Sequence, residues 1–331
     1  MRKAAVTAAV WIALSAAVPT AASAQELTLG GQAVGIQAGT QGVIVAGLTQ
    51  VESSGGAKSP AESAGMQKGD VISEINGVEA ESASALIDAV AESGGKSVEL
   101  TLRRGDKTLR VPVQPVQNRE GQWMLGLWLK DGVSGIGTLT FCDPATGVYG
   151  ALGHSISDAD SGALLPVGEG SITDAEIVSV TRGRPGAPGE LNGCADVGRT
   201  LGTIEANTVH GIFGKACTAL GTRRAETGEI TTGAATILST VAGRQTREYS
   251  VEINRIYRDN EGAHVMLTVT DGELTALTGG IVQGMSGSPI IQGGKLVGAV
   301  THVFVNDPTH GYGVSIQDML ASAGLTQKAA A

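Results

Sequence analysis

The chain has 331 residues, enough for two ordinary domains, with 49 glycines, 3% aromatic residues and a formal charge of −9. Abundant glycine and few aromatics suit a mainly β fold with many tight turns and set aside a helical bundle. The acidic balance and the lack of basic clusters argue against a nucleic-acid or anionic-lipid partner, because phosphate binding needs grouped Lys and Arg.

Arg2 and Lys3 precede an apolar run from Ala4 to Val18, and Ala22-Ser23-Ala24 follows. A basic start, a short apolar core and an A-x-A ending describe a secretory signal peptide over residues 1–24, with cleavage after Ala24. The alternative is an uncleaved anchor through residues 4–18. Either way an exported, extracytoplasmic protein is expected. Removing Arg2 and Lys3, with no acidic residue lost, takes the charge from −9 to −11. The cysteines, Cys142, Cys194 and Cys217, show neither metal-ligand spacing nor the even count of a disulfide framework, and no cofactor is expected.

After a linker at 25–33, residues 34–116 read as one unit. "VGIQ" (34–37) and "GVIVAGL" (42–48) are short strands, and Asp70 to Ile75 is another, turned by Asn76-Gly77. Ser82 caps a helix to Glu92 on which Leu86, Ile87 and Val90 share a face, and residues 97–116 alternate as two strands about Gly105-Asp106. This order, and "SPAESAGMQKGDVISEINGVEA" (59–80) in particular, resembles a PDZ domain. The resemblance implies that the loop at Val34, Gly35 and Ile36 presents N–H groups to the carboxylate of a C-terminal peptide. That peptide would add as a strand beside the 82–92 helix.

A connector follows at 117–133, whose Trp123 and Trp128 are expected to dock the PDZ unit on the next domain or to fill a core. From 134 to 326 the chain reads as short strands and turns: 135–141, 148–157, 173–181, 229–242, 246–258 and 263–270, with one late helix at 316–325 and a tail at 327–331. Such a pattern is a sandwich or barrel.

"GGIVQGMSGSPIIQGGKLVGAVTHVF" (279–304) sets Ser286 among glycines. A serine hydroxyl is a weak nucleophile until a base takes its proton, so a histidine is required. Of the five, His154 stands at a strand end between small residues. His210 reads as loop packing, His264 as a strand start, and His302 as too near the serine in sequence. "HVFVNDPTH" (302–310), which includes His310, lacks the helical spacing of a metal site.

"GMSGSP" is similar to the nucleophile turn of chymotrypsin-like serine peptidases, and "VYGALGH" to their strand leading into the base histidine. A narrower resemblance covers nearly the whole mature chain. A PDZ unit followed by "GIGTLTF", "YGALGHSISD", "GIFG" and "TGGIVQGMSGSPIIQGGKLVGAVTHVFVNDPTHGYGV" resembles the SpoIVB peptidase family of spore-forming bacteria. It implies a double β-barrel, His154 as base, Ser286 as nucleophile and Asp271 as acid. Asp158, Asp160 and Asp174 are the carboxylates in the first-barrel place. Gly284 permits the turn that aims its own N–H and that of Ser286 at a developing oxyanion. Gly280 would floor the first-subsite pocket, Thr301, His302 and Val303 would pair with substrate backbone, and Gly311 to Val314 would line the wall. The family implies a protein substrate, an extracytoplasmic segment of a membrane-bound regulatory complex or the enzyme itself, in the space between forespore and mother-cell membranes. The competing reading is a non-catalytic PDZ adaptor or checkpoint sensor on a protease-like barrel.

Overall fold

The computed structural model describes residues 24–105, 107–157, 164–221 and 223–325. The signal segment apart from Ala24, the 327–331 tail, Asp158 and Asp160 lie outside the described residues. Among the described residues no helix is long and apolar enough to cross a membrane.

The fold is mainly β, and two six-stranded rings organise it. One is a closed barrel of Gly233–Ser239, Arg247–Asp259, Gly262–Val269, His310–Ser315, Lys295–Val303 and Pro289–Gln292, in that order. Strict alternation makes its core: Ala263, Val265, Leu267 and Val269 are buried and their neighbours are not. They meet Ile237, Val251, Ile290 and Val300 inside the barrel.

The other ring passes from Ala33–Leu48 to Leu127–Cys142, Val148–Ala151, Gly211–Ala216, Glu190–Thr208 and Val167–Thr181, and returns to Ala33–Leu48. Val34, Ile36, Leu139, Tyr149, Ile172 and Ile212 fill it. Its 19-residue strand Glu190–Thr208 lies outside the strands expected from the sequence, since Gly193, Gly198 and Gly202 interrupt its pattern. The segment 25–33 is not a linker either: Glu26–Leu29 pairs with both Leu127–Cys142 and Arg224–Glu226.

The PDZ unit is inserted into this first ring rather than preceding it. Val34 to Gly39 pair with Gly137 to Gly132 in the barrel, whereas Ile44 to Leu48 pair with Lys130 to Leu127 in the PDZ unit. The strand changes allegiance at Gly42, where φ is +95° and an added Cβ would fall 2.4 Å from the Ile72 carbonyl oxygen. Only glycine fits there. The PDZ boundary therefore moves from 34–116 to roughly the span between Gly42 and Lys130. Trp123 packs over Gly95 within that unit and Trp128 is 65% exposed, so neither docks it on the barrel.

Four helices occur among the described residues: α1 (Pro60–Ser63), α2 (Ala83–Glu92), α3 (Gly272–Thr278) and α4 (Ile316–Ser322). The Ser82 hydroxyl caps α2 by accepting from Ala85 N–H, and α2 buries Leu86 and Val90 while Ile87 stays exposed. Helix α3 was missed in the sequence. Its signals are Asp271 as N-cap and Gly279 in the left-handed region at its C-terminus.

Candidate active site

The turn carrying Ser286 belongs to the second barrel, but the first barrel holds it. Thr138 N–H donates to the Ser286 carbonyl at 2.9 Å, Thr138 Oγ1 to the Gly284 carbonyl at 2.8 Å, and Thr140 Oγ1 to the Gly287 carbonyl at 2.8 Å. Both threonines are buried, and they sit at i and i+2 on one face of the same strand. The approach is close enough that a Cβ on Gly287 would stand 2.1 Å from the Thr138 oxygen. The signal of this clamp in the sequence is the Thr-x-Thr pair in the run "GIGTLTF" (135–141). Thr138→Val keeps the shape and strips the buried Gly284 carbonyl of its donor, at a cost of about 1–3 kcal/mol. A lowered melting temperature and a kcat reduced roughly tenfold, with KM little changed, are expected because the oxyanion donors lose their alignment. Thermal melts and steady-state kinetics on one preparation check this.

Val148–Ala151 delivers His154 through a sharp bend. Leu152 and Gly153 take φ of +70° and +69° in succession. A left-handed leucine is strained, and it is held here by burial against Gly137. The imidazole Nδ1–H donates to the Ser155 carbonyl at 2.8 Å, which leaves the Nε2 lone pair free to act as base. The His302 ring lies beside it, centroids 4.4 Å apart. Burial, with His302 as the second cause, pushes the His154 pKa down to about 4 against the raising effect of the Ser155 carbonyl, and burial also lowers that of His302.

His154 and Ser286 line one cavity of about 410 Å³ together with Gly284, Thr301, His302 and Val303. The Ser286 hydroxyl donates to the Thr301 carbonyl at 2.6 Å rather than to His154. The N–H groups of Gly284 and Ser286 donate to no acceptor among the described residues, and Gly284 has φ of +95°. Two unoccupied donors beside a hydroxyl are what an oxyanion hole needs.

Several expected residues stand elsewhere. Asp271 is not the partner of His154 in this arrangement: its Oδ1 accepts from Leu274 N–H at 2.9 Å and its Oδ2 from Ser250 N–H at 3.3 Å, so its carboxylate caps α3. Asp174 is paired with Arg199 and Arg244. Among the described residues no carboxylate bonds to His154, and no group of three side chains is spaced to hold a metal ion. Gly280 does not floor the cavity. Its Cβ position is filled by the Pro308 carbonyl, 2.0 Å away, because Ile281 N–H bonds that same oxygen. Asn is as good an N-cap as Asp. Asp271→Asn keeps the cap and gives up only the longer bond from Ser250 N–H, so it should leave turnover near wild type with a small fall in melting temperature, while Asp271→Ala loses about 1 kcal/mol of stability. A fall of several orders of magnitude in turnover for Asp271→Asn, at a melting temperature near wild type, would return the acid's role to this residue.

Val34, Gly35 and Ile36 are not a carboxylate-binding loop. They lie mid-strand, paired on one side with Gly137 to Gly135 and on the other with Asp174 to Ile172. The edge available beside α2 belongs instead to Leu127–Lys130. It pairs with Leu48 to Ile44 on one side, and on its other side no strand joins it among the described residues. Gly126 opens that edge with φ of +75°. "LGL" at 125–127 was the overlooked signal.

The SpoIVB peptidase S55 family matches residues 121–320, and the PDZ domain family matches residues 53–104. Mitochondrial serine protease HTRA2 of Drosophila persimilis is 42% identical over 57 residues, 17% of this chain and 13% of that protein. The same protein of Drosophila virilis is 40% identical over an equal span. The chain thus covers 13% of the length of these curated relatives. Among solved structures, the Rv3671c protease of M. tuberculosis in its active form aligns at 15% identity and a TM-score of 0.34, over 60% of this chain and 78% of that one. An inactive mutant form of Rv3671c aligns at 13% identity and the same TM-score, over 59% of this chain and 84% of that one.

Proposed function

Because the chain belongs to the SpoIVB peptidase S55 family, we propose that this serine peptidase is an exported endopeptidase of sporulation signalling. Its substrate would be an extracytoplasmic segment of a membrane-bound regulator, presented with the help of the PDZ unit. The observation that carries the catalytic part is the shared cavity of His154 and Ser286, with two free N–H groups at the nucleophile turn. In the reaction the Ser286 hydroxyl turns from the Thr301 carbonyl toward His154 Nε2, which takes its proton as Oγ attacks the substrate carbonyl. The oxyanion is met by Gly284 and Ser286 N–H. His154 then gives the proton to the leaving amine, and water repeats the sequence on the acyl-enzyme. The Ser155 carbonyl holds the imidazole in the tautomer this needs. Extracytoplasmic action is supported by the signal-peptide pattern of residues 1–24, and the sporulation role by the family.

One observation favours a second reading, the non-catalytic PDZ adaptor: the Ser286 proton is spent on Thr301 rather than on a base. A fluorophosphonate probe separates the two. The peptidase labels in the wild type, does not label as Ser286→Ala, and is indifferent to chelators; an adaptor labels in neither form.

A further inference from the structure

A second cavity of about 240 Å³ adjoins the Ser286 cavity and shares His154, Thr301 and His302 with it. This cavity is walled by the rings of His154, His210, His264, His302, Tyr257 and Tyr312, with Glu261 also lining it. Tyr257 stacks on His264 with centroids 5.3 Å apart, and His264 is in turn bonded to Asp259 at 3.1 Å. The Tyr257 and Tyr312 hydroxyls, the His302 ring nitrogens and the Glu261 carboxylate have no hydrogen-bond or ion-pair partner among the described residues. Aromatic faces around an unpaired carboxylate form a cage for a cation, since the ring quadrupole and the negative charge act in the same sense. An acidic side chain would instead meet the Glu261 carboxylate.

We propose that this cavity is a second substrate subsite selecting a Lys or Arg side chain, a reading that rests on the serine peptidase function proposed above. In an extended chain successive side chains point to opposite faces. A substrate laid along Thr301–Val303 with its scissile carbonyl at Ser286 places that residue's side chain in the nearer cavity. The preceding residue's side chain then passes His154 into the adjoining one. The long apolar stem of a Lys or Arg lies between the tyrosine rings and its charged end reaches the exposed Glu261.

The test uses the full-length protein and fluorogenic peptides varied at the residue before the cleaved one. Lys and Arg are expected to exceed Glu in kcat/KM by about tenfold, the ratio a cation–π contact acting together with a carboxylate supports. In Glu261→Lys the order should invert, and in Tyr257→Leu the ratio should shrink toward one. Fluorophosphonate labelling is run on each preparation. Labelling with no preference, with an acidic preference, or with no peptide cleaved overturns the subsite alone. Absence of labelling in the wild type overturns the peptidase reading and the subsite with it.

Discussion

Replacing His154 by alanine is expected to lower peptide hydrolysis by roughly 10⁴- to 10⁶-fold, Ser286→Ala by a similar factor, and the double variant by no more than either. In the proposed mechanism the two groups act in one proton transfer, so once either is lost the other has nothing to do. What survives comes from the Gly284 and Ser286 N–H groups and from substrate binding. The same residue sets the pH profile. The imidazole is a base only when neutral, and its depressed pKa of about 4 keeps it neutral over a wider range than usual. Activity should therefore be present above that value and fall as pH drops through it, rather than near the ordinary 6.5. Burial is the larger cause and His302 the second, so His302→Gln should move the acidic limb of kcat/KM upward. A limb near 6.5 in the wild type would mean that burial does not hold the imidazole neutral in the working enzyme, and a limb that does not move in the variant would mean that His302 does not bear on the base.

What could be read from the chain alone followed local chemistry. Asn76-Gly77 adopts positive φ at both residues, the strands about Gly105 pair as expected, and the glycines around Ser286 form a tight turn with positive φ at Gly284 and Gly287. What escaped was set by partners far along the chain. Val34 to Ile36 look like any short strand before a turn, and only pairing with Gly135 to Gly137 and Ile172 to Asp174 makes them barrel staves. The Thr138–Gly284 bond joins residues 146 apart, a distance no local pattern reports. Asp271 shows the opposite hazard. An aspartate before "GELTALTGG" is a helix-capping signal, and in the fold its carboxylate is taken up by that cap.

Excising residues 34–116, the span that looks like the PDZ unit in sequence, is expected to leave no folded protein. It removes all but the first residue of the stave Ala33–Leu48 that joins Leu127–Cys142 to Val167–Thr181, opening the first barrel and exposing Leu139 and Ile172. Breaking the pairing on both faces of a buried strand exceeds the few kcal/mol by which domains are stable. Thr138, which clamps the nucleophile turn, loses its support as well. Removing residues 42–130 instead, and joining the ends through Asn-Gly, should fold. Gly39 and Gly132 already face each other across the two strands, and the five residues then left between them (Thr40, Gln41, the inserted Asn-Gly and Asp131) suffice for a hairpin loop. This second truncation should be labelled by a fluorophosphonate at Ser286, because His154, Gly284, Ser286 and Thr138 all lie outside the excised span. Its cleavage of a protein substrate should fall tenfold or more, since the substrate is no longer held near the site by a second attachment. Circular dichroism and probe labelling of both truncations, with protein turnover for the second, make the comparison. Folded, reactive protein from the 34–116 deletion would refute the inserted arrangement. Undiminished turnover in the 42–130 replacement would show that the PDZ unit takes no part in substrate delivery.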